Sequence, residues 1–286
     1  MTILSFHPCF GADKQIILGP RPLSLEDRLH IGQADAILLP QGCSAELYLA
    51  CAHSRAAVFP EYGVRFKYPG KTGQAKLFQE FSIPHPETRC WRSTAELTVF
   101  LKKGNPLPHG FPFFLKIDGL HEGEGVFFIE EEANLRDVLG QLREREASGV
   151  CSFLTQSAVP TYGNILRAVI IGMNTYTFWK RPGQKGGMIT NISKGGRIDQ
   201  EWLPDLQERA AAAAREVSLK TGINLAAIDF AAAVEEPDPQ LLVLEINYFF
   251  ARRGLGGTTR YYRILYDAVR RWLAQQDEEP DRIVLY

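Results

Sequence analysis

Residues 225–247 read LAAIDFAAAVEEPDPQLLVLEIN. Two apolar, strand-forming runs flank a Glu-Glu-Pro-Asp-Pro break, the pattern of two antiparallel strands and a short connection. Side chains alternate along a strand, so Glu245 and Asn247 share one face. A hairpin symmetric about Pro237 sets Asp229 opposite Glu245. Directly opposed Cβ atoms lie about 5 Å apart, and like charges there are destabilising without a counter-ion. The neighbours Ala226, Ala227, Ile228, Phe230, Leu242, Val243, Leu244 and Ile246 are apolar. Two carboxylates and an amide oxygen in that setting suit a hard divalent cation. Mg²⁺ is the first candidate, with Mn²⁺ as a substitute, because Mg²⁺ takes one or two carboxylates and fills its shell with substrate phosphates. A second reading stays open. One residue of register slip sends the carboxylates to opposite faces, and a strand carboxylate is commonly an outward, solvated group.

The surrounding chain is that of a soluble globular protein. Its 286 residues suggest about two domains, and 45% hydrophobic with 23% charged residues is ordinary. A net charge of -1 gives no electrostatic reason to expect nucleic acid or an anionic membrane as partner. No apolar run reaches membrane-spanning length, and the start, MTILSFHPCFGADKQ, lacks the basic opening of a signal peptide. The five cysteines are odd in number and widely spread, which fits reduced thiols in the cytoplasm better than a disulfide framework. Whether the protein is a homo-oligomer is left open.

Elements follow from periodicity. ILSF and AILLP read as strands and CSAELYLACAHS as a short helix. Residues 60–73, rich in Pro, Gly and Tyr, read as a boundary, and QAKLFQEFSIPHPET as a helix stopping at Pro84. PFFLKI and GVFFIEE are strands around a glycine-rich loop. NLRDVLGQLREREASG is a helix with Leu135, Val138, Leu139 and Leu142 on one face. CSFLTQSAV, LRAVIIG and TYTFWKR are strands. PDLQERAAAAAREVSLKTG is a helix with Pro in its first turn and Gly222 at its end, and a last helix covers about 258–275. The mixture predicts an α/β fold with a largely antiparallel central and C-terminal part.

Two lysines stand beside glycines. YPGKTGQAK, residues 68–76, ends its glycine turn in Gly-Lys-Thr, yet it is no P-loop. That motif needs a glycine where Arg65 stands, and Pro60, Gly63 and Pro69 break the required strand. In FPFFLKIDGLHEGEGVFFIE, residues 111–130, Lys116 ends a strand and Gly119, Gly123 and Gly125 follow before a second strand. Glycines let backbone N–H groups approach phosphate oxygens, and a lysine adds a point charge. An ordinary hairpin turn has the same composition.

Taken in order, these stretches resemble the ATP-grasp superfamily, in its branch of glutathione synthetases and ribosomal-protein glutamate ligases. GKTGQAKLFQEFSIPHPET is similar to that branch's lysine-bearing helix and Pro-x-Thr turn, with Ser82 in place of a glycine. FPFFLKIDGLHEGEGV is similar to its strand lysine and phosphate-covering flap. FLTQSAV sits at the adenine hinge, RAVIIG at an arginine-bearing strand, and TNISKGG at an Asn-x-x-x-Gly-Gly turn. IDF and LEIN match its metal set.

The resemblance implies an α/β ATP-grasp fold. Residues 1–70 would be a short Rossmann-like N-terminal domain and 71–286 the ATP-grasp domain, with a lid of about 71–155 and a metal-bearing part of about 156–286. It implies that Lys71 and Lys116 contact ATP phosphates, Gly123 and Gly125 cover them, and Gln156, Ser157 and Val159 hold adenine. Arg167 would face the transferred phosphate, with Arg181 a second candidate for the same region. Asp229, Glu245 and Asn247 would hold Mg²⁺.

The chain departs from the pattern in places. Ser157 replaces the hinge glutamate, and Ile165 stands where an aspartate often precedes the arginine. After Asn247 comes YFFARRGLGG, in which Tyr248, Phe249 and Phe250 line an acceptor pocket or belong to the core. Arg252 and Arg253 there grip a substrate carboxylate or lie in solvent. The activity implied is an ATP- and Mg²⁺-dependent carboxylate–amine ligase working through an acylphosphate on small-molecule, amino-acid or peptide-like substrates. Kinase-like phosphoryl transfer and a non-catalytic nucleotide-binding module are the rival readings.

Overall fold

A computed structural model describes residues 2–120, 124–147, 149, 152–183 and 196–286. Gly123 and all but the last residue of TNISKGG lie outside the described residues.

The N-terminal region forms a four-stranded parallel sheet in the order β3-β1-β4-β5. Its strands are β1 (Ile3–Ser5), β3 (Lys14–Gln15), β4 (Ala36–Leu38) and β5 (Ala57–Phe59), and β2 (Phe10–Gly11) lies apart from it. Parallel strands need crossovers, and α1 (Leu25–Gln33) and α2 (Ala45–Ala52) supply two. Ser24 and Ser44 cap them by accepting from the N–H groups of Asp27 and Leu47. The stretch expected as a boundary carries a short helix, α3 (Gly63–Lys67), and the start of α4 (Gly70–Glu80). The latter ends at Glu80 rather than Pro84, because Ser82 adopts a positive φ of 49°. Gly73 cannot be replaced in α4: a Cβ there would lie 2.5 Å from the carbonyl carbon of Tyr68.

A four-stranded antiparallel sheet follows, in the order β6-β9-β7-β8. It consists of β6 (Thr88–Trp91), β7 (Phe113–Ile117), β8 (Val126–Ile129) and β9 (Phe153–Ser157). One face is covered by α5 (Thr94–Lys102) and α6 (Glu132–Glu146), which bury Leu97, Leu135, Val138, Leu139 and Leu142 against Trp91, Phe113, Leu115 and Phe153. Each large side chain so buried contributes about 1.5–3 kcal/mol.

The third sheet is antiparallel, in the order β12-β11-β10-β13-β14. Its strands are β10 (Ile165–Ile171), β11 (Asn174–Arg181), β12 (Arg197–Asp199), β13 (Leu225–Ala231) and β14 (Leu242–Asn247). One face buries Leu166, Ala168, Trp179, Ile228 and Phe230 under α7 (Pro204–Thr221). On the other face Val169, Ile171, Phe178 and Ala227 share a core with α8 (Thr258–Gln275) and with Ile3, Leu38 and Phe59. The N-terminal sheet and the C-terminal sheet are therefore joined through one apolar core. The chain end returns as β15 (Val284–Leu285) to pair with β2.

Candidate active site

The expected strand pair forms, with Asp229 opposite Glu245 and Ala227 opposite Asn247. Nearer the turn the register shifts by one, so Phe230 faces Val243. This bulge has a packing cause. Strict alternation would place Val243 on the face of Glu245 and Asn247. The extra residue lets Val243 and Ile246 both enter the α7 core while Glu245 keeps the other face. The edge of β14 is closed by Gln74 of α4, whose amide donates to the Ile246 carbonyl and accepts its N–H, both at 2.8 Å. Lys71, three residues earlier on the same helical face, is thereby brought within electrostatic reach of Glu245.

Asp229 is the centre of the cluster. It is 2% exposed, and Arg167 binds it in bidentate fashion, Nε and Nη2 each donating at 2.7 Å. Lys180 Nζ donates to the second oxygen at 2.9 Å. Burial alone would raise the carboxyl pKa; the charges of Arg167 and then Lys180 reverse that and hold it well below the usual carboxylate range. Asn247 donates its amide to Glu245 at 3.0 Å and approaches Asp229 at 3.5 Å. Arg167 keeps N–H donors on Nη1 that no described residue uses.

The β6-β9-β7-β8 sheet supplies the opposite wall. Lys116 donates to Gln156 at 2.7 Å, and Gln156 donates to Thr88 at 2.9 Å. Lys71 Nζ donates to the carbonyls of Ile117 and Leu120, at 3.0 and 2.5 Å. Burial pushes both ammonium groups below the ordinary lysine value, against the pull of Glu245. Asp118, unflagged by any sequence motif, caps α4. Its carboxylate accepts from the N–H groups of Lys71 and Thr72 and from the hydroxyls of Thr72 and Ser152. At Gly125 φ is +68°, a left-handed conformation that favours glycine where the chain enters β8.

Four cations, Lys71, Lys116, Arg167 and Lys180, thus surround two carboxylates, Asp229 and Glu245, with Asp118 engaged on the helix N-terminus. Such an excess attracts a polyanion. Two carboxylates and an amide on one face also match the oxygen donors that Mg²⁺ takes, so the residues present fit that ion.

The remaining expected residues are distributed as follows. Gln156 is 3% exposed and spent on Lys116, so it braces the lysine. The Ser157 N–H donates to the Glu87 carbonyl at 2.9 Å, and the Val159 carbonyl accepts from Thr161 at 2.7 Å; both residues begin the link between the two sheets. Arg181 is not part of the cluster. Its guanidinium pairs with Asp199 at 2.9 Å and lies 4.0 Å over the Trp202 ring, on the α7 side. Lys180, which the sequence reading passed over, takes the site face instead. The signal was present: the two-residue Gly172–Met173 turn pairs Arg167 with Phe178, so even-numbered residues of β11 share the face of Arg167. Tyr248 is half-buried, Phe250 is in the core, and Phe249 is 75% exposed.

The RimK-like ATP-grasp domain matches residues 70–268. The chain belongs to that family. A protein of Picosynechococcus sp. (strain ATCC 27264 / PCC 7002 / PR-6), named a probable alpha-L-glutamate ligase, is 23% identical over 272 residues, 91% of this chain and 82% of its own. Among solved structures, a RimK domain ATP-grasp protein from Sphaerobacter thermophilus DSM 20745 superposes with a TM-score of 0.60 at 16% identity, covering 94% of this chain and 99% of that one. D-Alanine-D-alanine ligase from Helicobacter pylori gives 0.56 at 13% identity, covering 82% and 72%. These likenesses place the fold among the ATP-grasp proteins.

Proposed function

We propose that this ATP-grasp chain, an ATP-dependent carboxylate–amine ligase by family, acts on an amino acid or peptide with Mg²⁺ as its ion. Asp229, Glu245 and Asn247 would hold the ion, Asn247 through its amide oxygen. When bound, the ion supplies charge neutralisation on the transferring phosphoryl group. Lys71 and Lys116 bind phosphate oxygens of ATP, and Gly125 belongs to the flap that covers them. Adenine belongs at the link that Ser157 and Val159 begin, with Gln156 bracing Lys116 beside it. Arg167, fixed by Asp229, presents Nη1 to the phosphoryl group as it moves to the substrate carboxylate, giving an acylphosphate and ADP. An amine then attacks the acyl carbon, phosphate leaves, and an amide forms. Lys180 serves the same anionic region in the place expected of Arg181. The four described free cysteines agree with a reducing, cytoplasmic setting, and no helix among the described residues is long and apolar enough to cross a membrane.

The observation that carries this reading is the Asp229–Glu245–Asn247 set on one face of the β13–β14 pair, ringed by cations of both sheets. The test is Glu245→Ala, assayed for Mg²⁺-dependent ATP turnover with an amino-acid mixture as amine source. Turnover should fall at least about 100-fold, while the melting temperature stays near that of the parent. Unchanged turnover would refute the assignment. Release of ADP with a stable phosphoproduct in place of free phosphate would turn the reading to a kinase.

A further inference from the structure

A second set of donors stands without acceptors where the N-terminal sheet meets the chain just past β14. In open α/β sheets, ligands sit beyond the carboxyl ends of the strands where strand order reverses. Here the chain leaves β1 for β3 on one side and enters β4 on the other, so the reversal lies between β1 and β4. Gln41 follows β4 by three residues and is 7% exposed. Its Oε1 accepts from the Tyr261 hydroxyl at 3.4 Å, but its buried Nε2 has no partner. The buried hydroxyl of Tyr248 has none either. Arg65 lies between them. It donates to the Gln41 carbonyl at 3.3 Å, and its guanidinium is 5.9 Å from the Tyr248 ring centroid. No carboxylate of the described residues pairs with it. Tyr62 holds the group together, its ring 5.8 Å from that of Tyr248 and its hydroxyl 3.2 Å from the Gln41 carbonyl.

Each orphaned buried donor is a standing cost to the fold; the Gln41 oxygen serves the Tyr261 hydroxyl, but no described residue uses the glutamine N–H or the Tyr248 phenol. An amide N–H, a phenol O–H and a guanidinium gathered in one place match a carboxylate. Tyr248 follows Asn247 directly in the chain, and its ring packs where the α7 core meets the core of the N-terminal sheet. We propose that Gln41, Arg65 and Tyr248 bind the recognition carboxylate of an amino-acid substrate, the carboxylate that does not react. The reacting one belongs beside Arg167. This site rests on the ligase reading and adds to it the substrate feature that is recognised.

The test is saturation-transfer NMR on the full chain without ATP. The probes are the twenty L-amino acids, each beside its α-carboxamide. At least one amino acid should bind, and its α-carboxamide should not. Tyr248→Phe should weaken that binding at least fivefold with an unchanged or higher melting temperature, because the lost hydroxyl had no partner to lose. Gln41→Leu should act in the same direction. No amino acid bound, equal binding of acid and amide, or parent-like binding by both variants would overturn the site. Because binding is read without ATP, such a failure leaves Mg²⁺-dependent ATP turnover as a separate test of the ligase reading.

Discussion

The two faces of the C-terminal sheet are built from alternate residues of the same strands, and they differ in kind. Under α7 the face is apolar: Leu166, Ala168, Trp179, Ile228 and Phe230 are each at most 1% exposed. Across the sheet, their neighbours Arg167, Lys180, Asp229 and Glu245 form a charged cluster, and Lys71 and Lys116 from outside the sheet bring its cations to twice its carboxylates. The first face stabilises the fold by removing hydrocarbon from water. The second holds ionised groups in a poorly solvated place, where each depends on its partners. A functional site can therefore be recognised as the face where burial and charge coincide.

The largest test of this contrast is Asp229→Ala. It leaves Arg167 and Lys180 buried and unpaired, so it should cost about 3–5 kcal/mol of stability and abolish ATP turnover, read by denaturant unfolding and phosphate release. Phe230→Ala, next along the chain but on the α7 face, should also cost about 3–5 kcal/mol. Turnover per folded molecule should survive, as an active-site titration would show. Loss of turnover there would break the separation of the two faces.

Acid should distinguish the faces further. Asp229 has a folded pKa depressed below its unfolded value of about 3.9. Its contribution is therefore complete above that value and is lost as pH falls from there toward the folded value. Melting temperatures measured below pH 4 should drop steeply in the parent and in Phe230→Ala, and less steeply in Asp229→Ala. The smallest effect belongs to Arg181→Ala. With its partly exposed pair to Asp199, it should lose about 0.5–1 kcal/mol and keep parental turnover. A tenfold fall in turnover would return Arg181 to the site.

Much of the site was legible because it lies on strands whose alternation can be counted. The pairing of Asp229 with Glu245 came from a hairpin centred on Pro237, yet the turn-side pairs are offset by one and the bulge between Val243 and Glu245 restores the register. Lys180 was within reach of the same reasoning through the Gly172–Met173 turn. Asp118 and Gln74 were not. One caps a helix 46 positions away and the other closes a strand edge 172 positions away, and no local period encodes contacts so distant. Gln41 was equally silent, since an unpaired donor becomes visible only once every possible acceptor has been placed.

Taken alone, the amino-acid order determined the antiparallel ribbon, the two lysines flanking a glycine-rich flap, and the family these features announce. Each is a matter of spacing along the chain. Packing decided which distant residues cap α4 and close the β14 edge, how β14 shifts to serve two faces, and where donors are left without acceptors. Those outcomes depend on competition among distant side chains for the same space and the same hydrogen-bond partners, and only the folded chain resolves it.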